Sequence, residues 1–413
     1  MNKQNLSSIL PLLGAVLSWA GPVTTVPWNG HTGAVSFTYD DARSSQIPNL
    51  LPQLDALGIK ATFFIAVTGT GGDFEAKKTA WIQAAKNGHE LANHTKAHVN
   101  VPADPGAASL ILEMANYLRA LDPVVQSVTF AYPNCNVNGK TGIGSEDFIS
   151  RACGQNNYAW GTQPPDWMNH LGLILTPTNV ATAVSMLNSA KSGNSWVTTI
   201  VHDVKENPDQ YSLTPADNKK MLDAAVANAL WIDTYQNVAA YYRAHFVMDA
   251  VNPNPINSGW SMAWTSPHPK MPKSVKLRVK LAAATFGTKI TVQQAGVTIP
   301  LETDGSYIID FMKLSLSVIE GTTGIPSRTL LPARLQARAT REGIVFGGVV
   351  GGEVEAVVTD VRGSVLYRGS IPGGRASDRL VPIGRDRLKG ILFLTLNDRA
   401  GGASVRALIN ATR

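Results

Sequence analysis

Hydrophobic and polar positions follow two different patterns along this chain, and the change falls near Asp249. From Gly33 to Asp249, short runs of apolar and β-branched residues alternate with stretches in which apolar residues recur at helical spacing. Such alternation of buried strands with helices is typical of an α/β fold with a mainly parallel sheet. After Asp249 the helical spacing ends, and strand patterns follow one another between turn residues.

The two patterns predict individual elements. In the first region, strands are expected at 35–39, 61–67, 128–132, 158–160 and 196–201. Helices are expected there at 50–58, 81–86, 110–121, 147–152, 180–190, 215–230 and 235–245. In the second region, strands are expected at 275–279, 289–293, 354–358, 365–367 and 391–396.

The length of the chain and its turn-forming clusters predict several domains. A chain of 413 residues exceeds the roughly 100–200 residues of one ordinary domain. Clusters of Pro, Gly and Asn at 252–255 and 321–326 interrupt the strand patterns. We therefore expect a β/α domain at 21–249, a small β-domain at 250–320 and a terminal β-sandwich at 321–413.

The first 20 residues have the pattern of a signal peptide. Lys3 precedes an apolar stretch from Ile9 to Val16 that is too short to span a bilayer, and small residues before Gly21 fit a cleavage site near Ala20. The alternative is an ordinary first helix. Export predicts a secreted or cell-surface bacterial protein, and no other apolar stretch predicts a membrane span.

Export also permits disulfide bonds. The cysteines of the chain are Cys135 and Cys153, 18 residues apart, and we expect them to pair. Two reduced thiols in a hydrophobic core are the alternative if the chain is not exported.

The net charge does not indicate a nucleic-acid partner. The chain carries a formal charge of +6, and residues 320–413 contain 14 Lys and Arg against 8 Asp and Glu, so the first 319 residues are neutral overall. The arginines of this last part are spread singly between turns, which is typical of a solvated surface rather than a phosphate-binding patch. We therefore expect no nucleic-acid binding.

Two acidic residues end the first predicted strand. The strand at 35–39 is followed directly by Asp40 and Asp41. Carboxyl ends of strands are where β/α folds place their functional sites. The alternative for such a pair is a cap of the following helix.

Two histidines four residues apart, His94 and His98, offer a metal site. At this spacing two imidazoles project to the same side of one turn and chelate one divalent ion. Thr95 stands where the zinc-protease motif has its glutamate, so a general base must come from the acidic pair, one acid binding metal and the other abstracting a proton. Zinc is the first choice of ion, and cobalt, manganese or iron suit the same ligands.

Four segments together resemble the polysaccharide deacetylases, which are carbohydrate esterase family four with its NodB-homology domain. In the order of that family, the segments are Thr38-Tyr39-Asp40-Asp41, His94-Thr95-Lys96-Ala97-His98, Phe130-Ala131-Tyr132-Pro133 and Ile200-Val201-His202. The resemblance covers about residues 33–248. It implies an α/β fold in which a distorted (β/α) barrel is the catalytic domain, and the strand patterns after Asp249 add β-sandwich-like C-terminal domains.

The resemblance also implies a role for each matched residue. The implied metal ligands are Asp41, His94 and His98. Asp40 becomes the general base, and His202 the general acid that protonates the departing amine or alkoxide. The backbone N–H of Tyr132 becomes a donor to the oxyanion that forms from the acetyl carbonyl.

One departure from the family concerns the partner of the base. Many members carry an arginine in the third segment that orients the base, whereas this chain has Ala131 there. The resemblance therefore leaves the partner of Asp40 unidentified.

The remaining substrate-pocket residues rest on a looser match. Asp166-Trp167 matches the fourth family segment best, with Asp166 orienting His202 and Trp167 walling the acetyl pocket. Trp160 is an alternative wall, and Pro133 completes the expected pocket. For either tryptophan, packing in the core is the alternative.

The partner that the resemblance implies is an acetylated polysaccharide, and the frequency of substrates in that family, rather than any residue of this chain, favours N-acetyl groups of a glucosamine-containing polymer of chitin or peptidoglycan type. An O-acetyl xylan esterase is one alternative, because metal, base and oxyanion donor serve esters and amides alike. A non-catalytic carbohydrate-binding wall protein is another, motivated by Ala131 and the two β-domains.

The segment 275–319 resembles β-domains that follow deacetylase domains, and the last segment resembles the C-terminal sorting domains of type IX secretion, with a generic β-sandwich as the alternative.

Overall fold

The computed structural model describes residues 21–320 and the shorter stretches 336–340, 344–350, 354–361, 364–371, 374–381, 391–398 and 404–410. The expected signal peptide at 1–20 lies outside the described residues. Within the described ranges, no helix is both long enough and apolar enough to cross a bilayer.

The described segments contain strands throughout and helices mainly before residue 249. The strands are β1 (Val23–Thr25), β2 (Ala34–Asp40), β3 (Thr62–Ile65), β4 (Glu90–Asn93), β5 (Thr129–Ala131), β6 (Ile149–Cys153), β7 (Tyr158–Ala159), β8 (His170–Ile174), β9 (Ser195–Val201), β10 (Trp231–Ile232), β11 (Asn254–Ile256), β12 (Gly259–Ala263), β13 (Lys276–Leu281), β14 (Ile290–Gln294), β15 (Val297–Ile299), β16 (Tyr307–Asp310), β17 (Ser315–Glu320), β18 (Gln336–Ala339), β19 (Ile344–Val350), β20 (Val354–Asp360), β21 (Val365–Ile371), β22 (Gly374–Val381), β23 (Ile391–Asp398) and β24 (Ser404–Asn410). The helices are α1 (Leu51–Leu57), α2 (Lys78–Lys86), α3 (Ala107–Arg119), α4 (Lys140–Gly144), α5 (Val180–Gly193), α6 (Pro215–Ala227), α7 (Tyr235–Met248) and α8 (Ala283–Phe286).

Seven parallel strands close into a barrel. Their order is β2-β3-β4-β5-β6-β8-β9, and β9 pairs with β2 to close the ring. Two short strands add to the amino-terminal ends of barrel strands: β7 lies antiparallel to β9, and β10 lies parallel to β2. The predicted α/β class with a distorted (β/α) barrel and further β-sheets behind it is confirmed.

Strand β2 shows why these segments form a buried parallel sheet. Its seven residues are β-branched, aromatic or small, and all of them are buried. Burial on both faces is typical of a parallel strand with the barrel interior on one side and helices on the other. Because all seven barrel strands are parallel, their carboxyl ends meet at one end of the barrel.

Local sequence signals determine where the helices begin and end. Helix α6 begins at Pro215 after Thr214, whose hydroxyl oxygen accepts a hydrogen bond from the backbone N–H of Asp217 at 3.0 Å. Helix α1 ends at Gly58, whose φ of 66° lies in the left-handed region that favours glycine at a helix C-terminus. The expected helices at 50–58 and 215–230 are thus present with slightly shorter bounds.

Helix α7 covers the amino-terminal end of the barrel. Its first backbone N–H groups, those of Tyr235 and Gln236, donate to Thr62 Oγ1 (2.7 Å) and Glu90 Oε2 (2.9 Å) at the starts of β3 and β4. Residues of α7 share a buried hydrophobic cluster with the sheets between 254 and 320. The β region after Asp249 therefore packs against the end of the barrel opposite Asp40.

Four further sheets accompany the barrel in the part of the chain that the structure describes. One contains β1, β13 and β16, and a second contains β11, β12, β17, β14 and β15. Because β1 pairs with β13, the first described residues belong to the same β region as residues 276–310. Beyond residue 336, the sheets β18-β19-β22 and β21-β20-β23-β24 share a buried apolar cluster.

Three barrel strands differ from the sequence expectations. Residues 147–152 are predicted as a helix, but they contain most of β6, and no strand is predicted where β4 and β8 lie. Periodicity alone does not separate a strand from a helix in segments of four or five residues. Gly172 further weakens the strand signal of β8, yet the strand needs it, because a Cβ there would lie 3.1 Å from Ile200 Cγ1 and 3.3 Å from Arg151 Cδ.

Candidate active site

A cavity of about 500 Å³ opens at the carboxyl ends of the barrel strands. The predicted site residues that line it together are Asp40, Asp41, His94, His98, Tyr132 and His202. Each of them ends a barrel strand or follows one directly or within a short loop. The parallel barrel therefore brings residues from four separate parts of the sequence to one cavity.

The two acids face the same cavity although they are neighbours in the chain. Consecutive residues of an extended strand point to opposite faces. Asp40 is the last residue of β2, and Asp41 has a φ of 75°, in the left-handed region. This break in the extended conformation allows both carboxylates to line the cavity, and such local strain is typical of functional sites.

Three side chains converge with metal-ligand geometry. Asp41 Oδ1 lies 3.6 Å from His94 Nε2 and 3.4 Å from His98 Nε2, and the three donor atoms lie within 4.8 Å of one another. Asp41 Oδ1 is buried and has no hydrogen-bond partner within the described ranges. One carboxylate and two imidazoles match the donor preferences of zinc and of other divalent first-row metals. The residues present therefore fit a divalent ion.

The ring of His94 is oriented for metal binding. Its Nδ1 lies 2.8 Å from the backbone oxygen of Ala131, and because a carbonyl only accepts, Nδ1 must carry the hydrogen. The lone pair of Nε2 then faces Asp41. Burial lowers the pKa of His94 to about 4, despite the opposing charges of Asp40 and Asp41, so the ring is neutral and able to bind an ion.

The loop that carries both histidines is braced from two sides. Asn93 Oδ1 accepts from the backbone N–H of Thr95 (2.9 Å), and the backbone oxygen of Lys96 accepts from Val67 and Thr68 (2.9 Å each). Gly69 allows this close approach, because a Cβ there would lie 2.4 Å from the backbone oxygen of Ala97. The His94 to His98 geometry is therefore held by the backbone before any ion binds.

Asp40 has a partner that sequence reasoning missed. Arg151 Nη2 donates to Asp40 Oδ2 at 2.7 Å, and only 1% of the Arg151 side chain is exposed. The guanidinium also donates to Thr38 Oγ1 (3.2 Å) and lies over the ring of Phe64, 4.9 Å from its centroid. Burial alone raises the pKa of Asp40, but Arg151, with His94 and His202, holds it below its ordinary value, so Asp40 is ionised.

The register of the sheet explains why Arg151 serves where Ala131 stands. Strands β5 and β6 are adjacent and parallel, and Ala131 is the register partner of Arg151. Paired residues of neighbouring strands project from the same face. Arg151 therefore contacts Asp40 from the strand next to the one on which the resemblance implies an arginine. A strand assignment at 149–153 would have been the only sequence signal for this.

Two more polar side chains hold the acids in place. Arg43 donates from Nε (3.1 Å) and Nη2 (2.9 Å) to Asp41 Oδ2, which leaves Oδ1 for an ion. Gln46, which is buried, donates from Nε2 to the backbone oxygens of Asp40 (2.8 Å) and His202 (2.6 Å). Gln46 thus ties the end of β2 to the end of β9.

His202 follows β9 and lines the cavity. Its backbone N–H donates to the oxygen of Tyr211 at 3.2 Å. Its buried Nδ1 has no hydrogen-bond partner among the residues that the structure describes. His202 therefore occupies the position expected for a general acid, but it lacks the carboxylate partner that the resemblance implies.

Tyr132 lines the cavity, but its backbone N–H is not free. It donates to the backbone oxygen of Arg151 at 3.1 Å, so it is committed to the strand ladder rather than to an oxyanion. The side-chain hydroxyl donates to Met168 oxygen at 2.8 Å, and burial raises its pKa to about 12. The oxyanion role implied for this N–H is not supported by the structure.

The other expected pocket residues do not line the cavity. Asp166 caps the helical turn at 167–169 by accepting from Met168 N (2.8 Å), and it pairs with Lys140 (2.6 Å). Trp160 stacks on His245 with ring centroids 4.0 Å apart, and Trp167 packs edge-on against Tyr242. Both tryptophans belong to the cluster at the opposite end of the barrel. Pro133, which is buried, begins a helical turn beside the cavity.

The predicted disulfide is confirmed. Cys135 and Cys153 are bonded and both line the cavity. The bond joins the loop after β5 to the end of β6, two residues beyond Arg151. It therefore ties together the segments that carry Tyr132 and the partner of Asp40.

Replacing both cysteines by serine should lower the free energy of unfolding by about 3 kcal/mol, because a loop of this length no longer constrains the unfolded chain. Urea unfolding of the double variant measures the change. The unmodified protein under reducing conditions is the matched control and should unfold at the midpoint of the variant. Equal midpoints with and without reductant would contradict the expectation.

Comparison with known proteins gives a family match over the first part of the barrel. The family model described as polysaccharide deacetylase matches residues 29–146. The matched stretch includes Asp40, Asp41, His94 and His98, and it ends before Arg151 and His202.

Two curated relatives match parts of the chain. A probable peptidoglycan-N-acetylglucosamine deacetylase of Arthroderma benhamiae is 31% identical over 117 residues, which is 27% of this chain and 25% of the relative. A gellan lyase of a Bacillus species is 24% identical over 305 residues, which is 65% of this chain and 12% of the relative. The chain therefore spans a quarter or less of the length of either relative.

Solved structures of similar proteins were also found. The catalytic domain of a peptidoglycan N-acetylglucosamine deacetylase from Eubacterium rectale shares 16% identity and a TM-score of 0.35, covering 52% of this chain and 93% of that one. A family 4 acetyl xylan esterase from Clostridium thermocellum shares 18% identity and a TM-score of 0.33, covering 50% and 89%.

Proposed function

We propose, from the premise that residues 29–146 of this chain carry a polysaccharide deacetylase domain, that the protein is a metal-dependent hydrolase of acetylated polysaccharides. The proposed target is the N-acetyl group of a glucosamine-containing polymer. The observation that carries the proposal is the convergence of Asp41, His94 and His98 beside Asp40, a separate and buried acid. The similarity to a peptidoglycan-N-acetylglucosamine deacetylase supports the N-acetyl target.

The residues that would hold the ion are Asp41, His94 and His98, and zinc suits them best. When bound, such an ion lowers the pKa of a water molecule and polarises the acetyl carbonyl. Arg43 keeps Asp41 Oδ2 occupied, so the acid offers the ion one oxygen.

Asp40 is the proposed general base. Arg151 holds its Oδ2, whereas its Oδ1 is buried and has no hydrogen-bond partner in the described part of the chain. An ionised carboxylate with one free oxygen beside the metal ligands is placed to accept the proton of the attacking water. The pKa of Asp40, held below its ordinary value, keeps it in the accepting form at neutral pH.

His202 is the proposed general acid. It lies on the same cavity wall as Asp40 and contributes to lowering the pKa of that acid. A protonated imidazole at this position donates to the departing amine as the bond to the acetyl carbon breaks. Ile174 and Ile200, at the ends of β8 and β9, offer an apolar wall for the acetyl methyl group in place of the expected tryptophans.

The same site bears on both alternative functions. Ala131 is one reason for the non-catalytic alternative, but Arg151 takes the place of the family arginine, so this reason no longer applies. An O-acetyl xylan esterase would use the same residues, and substrate assays must separate it. Secretion or cell-surface attachment is part of the proposal and agrees with the disulfide at the cavity.

Acetate release from chitin oligomers, peptidoglycan and acetylxylan tests the proposal. We expect the largest kcat/KM on an N-acetylglucosamine polymer. Dialysis against a chelator should lower the rate about 10³-fold, because ion catalysis supplies several kcal/mol, and added zinc should restore it. Magnesium, which prefers oxygen ligands, is the control ion. Full activity in protein shown by elemental analysis to be free of transition metals would contradict the proposal.

A further inference from the structure

The cavity mouth has an aromatic residue that the proposed chemistry does not use. Of the described residues that line the cavity, two are tyrosines. Tyr132 is buried, and its hydroxyl donates a hydrogen bond to the backbone oxygen of Met168. Tyr211 is 45% exposed, so its side chain is accessible to a ligand.

The loop after β9 holds Tyr211 in place from both sides. Its backbone oxygen accepts from His202 N (3.2 Å), and its backbone N–H donates to Asp209 Oδ1 (3.3 Å). Ser212 Oγ donates to the same carboxylate (2.7 Å). At the base of the loop, Leu213 N donates to Asp203 oxygen at 2.9 Å. The backbone of Tyr211 is therefore held before substrate binds, which lowers the entropy cost of using this residue as a contact.

The ring stands beside the proposed proton donor. The centroids of Tyr211 and His202 lie 5.6 Å apart, with an angle of 44° between the planes. A sugar whose departing nitrogen reaches His202 therefore comes within contact range of the Tyr211 ring. Tyrosine suits such a contact because its ring offers a flat apolar surface with few rotatable bonds.

The charges at this rim compensate one another. Lys205 Nζ lies 2.7 Å from Asp209 Oδ2 and 3.8 Å from Asp203 Oδ2, and Arg43 Nε lies 3.9 Å from Asp203 Oδ2. Each of these side chains has an opposite charge beside it. The mouth therefore favours an uncharged ligand that presents an apolar face, which is the chemistry of an N-acetylated pyranose.

We infer that Tyr211 is the wall on which the sugar ring carrying the acetyl group packs. The inference rests on the proposed function and deepens it, because it assigns the aromatic sugar contact to a residue after β9. This sugar wall is separate from the apolar wall of the acetyl pocket, which Trp160 or Trp167 was expected to form. The substrate contact is the ring, so the hydroxyl of Tyr211 is dispensable.

Kinetics of the full chain loaded with zinc test this assignment, with tetra-N-acetylchitotetraose and 4-nitrophenyl acetate as substrates. Tyr211→Ala should lower the ratio of kcat/KM on the tetraose to kcat/KM on the small ester about tenfold, mainly through KM. Tyr211→Leu should behave like Tyr211→Ala, and Tyr211→Phe should keep the ratio within about threefold. Leu112→Ala, an exposed apolar residue of α3, is the control.

Calorimetric titration with the tetraose separates failure of this inference from failure of the proposed function. If no glycan releases acetate but tetraose binding still weakens about tenfold in Tyr211→Ala, the proposed function fails and the sugar wall stands. If Tyr211→Ala binds the tetraose like the unmodified protein, or keeps its substrate ratio, the inference is overturned. A protein that binds no tetraose at all overturns it as well.

Discussion

Asp40→Asn is expected to bind zinc like the unmodified protein and to release acetate about 10³-fold more slowly, because the amide accepts no proton from water. Asp40 is not among the three converging ligand atoms, and its carboxylate is held by Arg151 instead. Zinc titration followed by calorimetry measures the first property. Acetate release from an N-acetylated oligosaccharide measures the second.

Asp41→Ala is the companion variant and should lose both properties together. It removes the carboxylate that lies beside His94 and His98, and two imidazoles alone bind an ion far more weakly. Asp223→Asn, on the exposed face of α6, changes the charge equally and should alter neither property. If Asp41→Ala releases acetate at the normal rate while free of metal, the assignment of ligand and base is wrong.

Arg151→Met is expected to reduce kcat about 10²-fold without loss of zinc binding. The arginine does not contact the cavity, but it positions Asp40, and a small misplacement of a catalytic group costs about this much. It should also lower the free energy of unfolding by about 3–5 kcal/mol, since Asp40 is left as an unpaired buried charge. Turnover at low temperature and urea unfolding separate the two effects.

A double variant distinguishes positioning from a merely structural role. In Asp40→Asn the buried carboxylate charge is absent. Adding Arg151→Met to this variant should therefore lower the free energy of unfolding by clearly less than Arg151→Met does alone. Arg151→Lys should retain part of the turnover, because the charge remains while the paired guanidinium geometry is lost.

Exchanging the residues of the register pair is the strictest test of the role of Arg151. Ala131→Arg combined with Arg151→Ala places the arginine on β5, where the resembling family has it. The turnover of this double variant should be at least tenfold faster than that of Arg151→Ala alone. Equal turnover in Arg151→Met and the unmodified protein would show that Asp40 needs no positioning from β6.

The fold was largely predictable because its signals are local. Apolar runs and turn residues within a few positions of one another predict three segments of the site. These are the strand at 35–39, the loop with His94 and His98, and the apolar strand before His202. Since parallel strands share one carboxyl end, the grouping of these residues at one cavity follows from the strand assignment. The errors occurred at β4, β6 and β8, because strands of four or five residues, one of which contains Gly172, lack a decisive period.

One gap in the site has the same origin. Because β6 is predicted as a helix, Arg151 has no reason to face Asp40, and the base lacks a partner in the sequence. The tryptophans have a different origin, since Trp167 was placed by a loose match to a family segment and Trp160 was its alternative. Both pack at the far end of the barrel, because each lies before the amino-terminal end of a barrel strand.

The amino-acid sequence by itself determined which residues can hold an ion and do acid–base work, because residue type and spacing at strand ends decide that chemistry. Only the tertiary structure decided which groups support them. The register of β5 and β6 selects Arg151, the strand ladder occupies the N–H of Tyr132, and a folded loop brings Tyr211 beside His202. The physical reason is that strand pairing and loop conformation set these contacts, and neither leaves a periodic pattern in the sequence of the segments that it joins.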